Sequence, residues 1–127
     1  APSWSVVPGG DLAAGGFIQI SGFGSVVPAR QAGSAQTLDA RDTRIINAVF
    51  RNGTLWYTHT GGQPASAPTR NAVHWHQLSP TAGLKVVQQG IIEDPSGGMS
   101  YFFPSIAIGR SDDVLIGFAG SSAASVR

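Results

Sequence analysis

The stretch Val49-Phe-Arg-Asn-Gly-Thr-Leu-Trp-Tyr-Thr-His-Thr60 decides the fold class. An apolar run climbs to Arg51-Asn-Gly53, where Asn and Gly accept positive φ, and a second run rich in aromatic and β-branched residues leads away from it. That is the signature of a β-hairpin. The pattern returns in looser form as Ile106-Ala-Ile-Gly-Arg-Ser-Asp-Asp-Val-Leu-Ile-Gly-Phe118, with Arg110-Ser-Asp-Asp113 at the reversal. Setting Val49 over Ile108 and Leu55 over Leu115 gives a repeat of about 60 residues, longer than the ~40–50 of familiar propeller repeats, with the surplus housed in residues 61–68 and 93–100. A hairpin that recurs with another hairpin in between points to a radially repeated antiparallel β architecture.

Between the two copies the chain reads as two more strands. Residues 71–78 alternate, with Ala72, His74, His76 and Leu78 on one face and Val73, Trp75 and Gln77 on the other. A turn at residues 79–83, with Pro80 early and Gly83 late, leads into a strand over residues 84–92. Residues 45–92 thus supply four consecutive strands, the content of one propeller blade. Two glycines and two prolines in residues 61–68 read as an irregular surface connection. Pro104 reads as the start of the strand that continues through residues 106–108. Before residue 40 the chain is cut into short pieces by glycine and proline, with residues 17–20 and 35–39 as strand candidates. The expected organisation is therefore irregular N-terminal strands completing a neighbouring blade (residues 1–40), one full blade (41–92) and half of the next (93–127).

Composition agrees with this reading and removes several function classes. Seventeen glycines and eight prolines in 127 residues favour turns and short strands over helices. A net charge of +1, with 12% charged residues, one lysine (Lys85) and scattered arginines, offers no phosphate-binding patch, so no nucleic-acid partner is expected. Without cysteine there is no disulfide, thiolate metal site or cysteine nucleophile. No apolar run reaches the ~18 residues of a membrane span, and no membrane partner is expected. Richness in Trp, Ser, Thr and Gly, scarcity of lysine and an Ala1-Pro-Ser start compatible with leader removal suggest a secreted or extracellular setting.

The runs at residues 43–60, 70–78, 88–95 and 101–108 resemble secreted bacterial sialidase-like, or exo-sialidase-like, β-propeller proteins, and the resemblance extends over roughly residues 36–122. It implies a six-bladed propeller. Asn52-Gly-Thr-Leu-Trp56 is similar to the glycine and aromatic end of the Asp-box turn of that family, and Ser111-Asp-Asp113 to its acidic beginning. The family's enzymes use three arginines on the substrate carboxylate, a tyrosine–glutamate nucleophile pair and an aspartate acid/base. The residues of those types here include Arg30, Arg44, Arg51, Arg70, Arg110, Glu93, Asp94 and Tyr101, and none falls on that constellation by motif.

Three candidate constellations follow from the residues. Glu93 and Asp94, the chain's only glutamate and its neighbour, form a candidate catalytic carboxylate pair. Consecutive residues of an extended chain point apart, so turn capping is the simpler role, and the missing Asp-x-Asp-x-Asp cadence argues against calcium. Trp56, Arg70, Trp75 and Tyr101 are the candidate glycan-binding set, with packing as the competing role. His74 and His76 share a face about 6.5–7 Å apart and would need His59 or an acid to complete a metal site. No metal and no cofactor is expected, and the histidines are read as packing with Trp75 and Trp56. The most economical function is a structural propeller segment completing a ring with a longer chain or with identical subunits. The alternatives are a noncatalytic carbohydrate-binding propeller and part of a sialidase-like glycoside hydrolase.

Overall fold

A computed structural model describes residues 18–80 and 85–124. Apolar alternation in the central third of the chain becomes a four-stranded antiparallel meander, β3 (Ile45–Arg51), β4 (Thr54–Gln63), β5 (Arg70–Ser79) and β6 (Lys85–Ile92), in sequential spatial order. Two short strands precede it, β1 (Ala29–Arg30) and β2 (Thr37–Leu38), and a long hairpin follows, β7 (Ser100–Ile108) and β8 (Val114–Ser121). Asn52 and Gly53 both take positive φ, 50° and 77°, as the mirror-image two-residue turn between β3 and β4 requires.

Register assigns the faces. Trp56 pairs with Val49 and Gln77, and Thr58 with Trp75, so these side chains share one side of the sheet. Tyr57 pairs with His76 and His59 with His74, which puts the aromatic polar rings together on the other side. The hairpin covers the first face, β7 lying over β3, β4 and β5. Trp56, Ile106 and Ile108 form the core between these layers, with Val49, Trp75 and Ile116 around it. A second small core, Ala29, Ala40 and Phe102, joins the β1–β2 hairpin to β7 and Ala119 of β8.

Polar side chains fasten the layers. Asn47 Nδ2 donates to the Ile106 carbonyl at 3.2 Å, and its Oδ1 accepts from the Ile106 amide at 2.8 Å. Asn71 does the same for Val27, at 2.6 and 2.8 Å, while its own amide donates to Ser100 Oγ. Asn52 Nδ2 reaches the β7–β8 turn, donating to the Arg110 carbonyl and to Asp112 Oδ1.

The all-β, antiparallel expectation holds, with four corrections in detail. Residues 61–63, expected in a surface loop, are the end of β4, with Gly61 and Gly62 buried. Pro104, expected at a strand start, is buried inside β7, at a register shift between Phe102 and Ser105 where its missing amide breaks no ladder bond. Residues 18–20 are not a strand, and of residues 35–39 only Thr37 and Leu38 are. Phe17 and residues 81–84, within the expected turn and strand start, lie outside the described residues.

Candidate functional site

The alternation of β4 and β5 creates two different chemical environments on the two faces of one sheet. On the face opposite the hairpin, His59, His74 and His76 are all buried. Their rings stack, His59 lying 5.0 Å from His74 and 5.4 Å from His76 between centroids, with Tyr57 against His76 at 4.6 Å and Phe23 capping His59 at 4.5 Å. The histidine partners are thus Tyr57 and Phe23. Trp75 and Trp56, expected beside them, lie across the sheet, because residues one apart in a strand face opposite ways.

The hydrogen bonds fix the protons. His59 Nδ1 lies 3.0 Å from the Thr60 carbonyl, which can only accept, so Nδ1 carries the hydrogen. His59 Nε2 then accepts from His76 Nε2 at 3.3 Å, and the Nδ1 atoms of His76 and His74 are buried without a hydrogen-bond partner. Burial, then the neighbouring histidine charges, push His74 down to about 4, and burial followed by His59 does the same to His76, with Gln89 opposing. Burial lowers His59 as well, against the opposing Thr60 bond. His59 Nε2 and His76 Nε2 are taken up by each other, and among the described residues no group of three metal-ligand side chains forms a site. This face is a neutral aromatic stack.

The hairpin face carries a cleft of about 360 Å³ lined by Trp56, Trp75, Gln88, Val114 and Ile116. Trp75 stacks on Trp56 with centroids 6.2 Å apart and lies flat over Gly90, where a Cβ would stand 2.6 Å from the indole. Beside it runs an amide chain, Gln88 Nε2 donating to Gln77 Oε1 and Gln77 Nε2 to Thr54 Oγ1.

Arg70 and Glu93 form a partly buried ion pair. Arg70 also lines a polar cavity of about 340 Å³ with Arg30, Thr69, Ser100, Ser121 and the Gly97–Gly98 turn. Asp94 belongs to a different arrangement, accepting from the Ser96 hydroxyl and from the Ser96, Gly98 and Met99 amides. The Ser96 hydroxyl first, and then these amides, hold its carboxyl below the usual range. The two candidate carboxylates therefore serve separate partners. Trp56 and Trp75 are together in one cleft, Arg70 lines another, and Tyr101 packs on Phe118 at 5.0 Å. Sequence reasoning missed Gln88 and Gly90, and named Arg30 only among the arginines that fall on no motif; the glycine opposite Trp75 in the strand pair was the available signal for the flat indole. Among the described residues no helix is long and apolar enough to cross a membrane. Comparison with protein-family models, curated proteins and solved structures returned no match.

Proposed function

We propose that the chain is a structural blade unit of a radially repeated β assembly, which it completes together with further blades of a longer polypeptide or of identical subunits, in an extracellular setting. One observation carries this reading: a four-stranded meander has the next hairpin laid across one of its faces, as successive blades stack. The sheets also end openly. Ile45, Ile46 and Phe50 on β3, Val87 and Ile91 on β6 and Leu115 on β8 are exposed, and such edges favour association. Solution mass by light scattering after size exclusion, with intact mass on the same peak, tests it. The expected result is a discrete multimer of intact chains, and a stable compact monomer over the full concentration range overturns it.

A second reading, noncatalytic binding of an acidic glycan, is favoured by the cavity that holds Arg30 and Arg70 beside three hydroxyl side chains. Titration with sialyllactose then gives saturable binding that Arg30→Ala weakens at least about tenfold, whereas a neutral lactose control binding equally well removes this reading.

A further inference from the structure

The two strands of the β7–β8 hairpin have unlike outer edges. On β7, the amide and carbonyl of Ile106 are taken by Asn47, and the Phe103 amide donates to Thr60 Oγ1 at 3.3 Å. Side chains of the four-stranded sheet thus stand in for a missing strand on that side. On β8, the only ladder partner among the described residues is β7, so the opposite edge presents unpaired amides and carbonyls.

That open edge borders the tryptophan cleft. Val114 and Ile116 stand opposite Ile108 and Ile106, which are buried against Trp56, so they share the inward face and form one wall of the cleft. Its floor is Trp75 of β5 with Gln88 of β6, on the side of the sheet toward β6. No charged side chain lines it. The cleft is continuous with the Trp56–Ile106–Ile108 core, so it extends an apolar interface already present.

We infer that the open edge of β8 and the Trp56–Trp75 cleft together seat an extended, antiparallel β-strand whose inward side chains are uncharged and mainly apolar, supplied by polypeptide beyond the described residues. This inference rests on the blade reading and names the partner. The main-chain edge selects the ligand class: a helix satisfies its own amides internally, and a sugar would leave the row of β8 amides without regular partners, while a strand fills both edge and cleft. The internal repeat specifies the chemistry further. Leu115 corresponds to Leu55, so β8 corresponds to β4, and the incoming strand stands to β8 as β5 stands to β4. The side chains that β5 turns toward the hairpin, Asn71, Val73, Trp75 and Gln77, are all uncharged.

The test uses the full chain at pH 7.5 and the capped ten-residue peptide of its own β5 sequence, Arg70–Ser79. Nuclear magnetic resonance follows the β8 amides, and hydrogen exchange their protection. The expected result is saturable shifts confined to β8 and the Trp56 and Trp75 indoles, with alternate β8 amides protected at least about tenfold. The same peptide N-methylated on alternate residues loses this binding, and Ile116→Glu weakens it at least about tenfold. Equal binding of the N-methylated peptide, shifts mapping to Phe50 and Ile91 on the other face, or no binding at millimolar peptide each overturns the proposal. So does β8 protection by a second intact copy without peptide. If light scattering shows assembly while the peptide fails at β8, the blade reading survives and this inference falls; a compact monomer that still binds the peptide at β8 does the reverse.

Discussion

At the scale of single residues, the chain's three asparagines do the joining. Asn47 and Asn71 each offer a side-chain amide that pairs with both the amide and the carbonyl of one distant residue, and Asn52 ties two turns together. Asparagine is disfavoured inside strands, and that misfit was the legible sign of a special role; which backbone each would meet was not legible, because the partners lie at least 44 residues away. The histidines make the opposite bargain, being buried and neutral. Held at about 4 in the folded protein against about 6.5 when unfolded, His74 and His76 refuse protons that the unfolded chain accepts. Their contribution is complete above pH ~6.5, is lost as the pH falls toward ~4, and does not worsen further once both states are protonated. At about 1.4 kcal/mol per unit, acid weakens the fold by several kcal/mol, the two rings titrating as a coupled set. Among the described residues the groups facing them are Tyr57, His59, Phe23, Gln63 and Gln89, with no carboxylate in hydrogen-bond contact. Urea midpoints should therefore fall steadily between about pH 7 and 4.5, with a shallower fall in His74→Gln. A flat profile in the parent chain would contradict this.

At the scale of elements, strand centres were legible and strand ends were not. The runs around Val49, Trp56, Trp75 and Leu115 announce themselves by alternation and by the turn chemistry between them. β4 was expected to stop at Thr60 because glycine is a poor strand residue, yet it continues through Gly61 and Gly62. The reason is tertiary: a Cβ on Gly61 would stand 2.8 Å from both Phe23 Cβ and His74 Nε2, and Gly62 exchanges two backbone hydrogen bonds with Gly24. The two glycines let the N-terminal segment cross the sheet at backbone distance. Pro104 misleads for a related reason. Proline forbids a ladder bond, but a bulge supplies a position where none is needed, and the side chain is then free to fill the core. The candidate site was legible only as residue types. Trp56 and Trp75 stack at one cleft, with Trp56 itself buried in the core, and the turn-capping role of Asp94 was legible because consecutive residues point apart; the ion pair of Arg70 with Glu93, which sets Arg70 apart from the tryptophans, comes from loop geometry that no local pattern encodes.

At the scale of the whole molecule, the open question is what makes two sheets behave as one body. Apolar contact alone is small here, since the core between the layers is centred on Trp56, Ile106 and Ile108, and apolar burial is tolerant of sliding. Asn47 supplies the direction that burial lacks, because its two bonds tie it to the amide and the carbonyl of one residue of β7, Ile106. Replacing it by leucine keeps the number and branching of side-chain heavy atoms and removes both bonds, leaving a partly buried amide and carbonyl without partners. The expected cost is about 2–4 kcal/mol, read from urea unfolding. The effect should also be local: amide exchange at Ile106 and along β7 accelerates more than exchange in β4 and β5, whose ladder bonds are untouched. If Asn47→Leu changes stability by less than about 0.5 kcal/mol and leaves β7 exchange as it was, the hairpin is held by its apolar face alone. The placement of the hairpin on the sheet then depends on apolar side-chain packing around Trp56 rather than on a polar clamp.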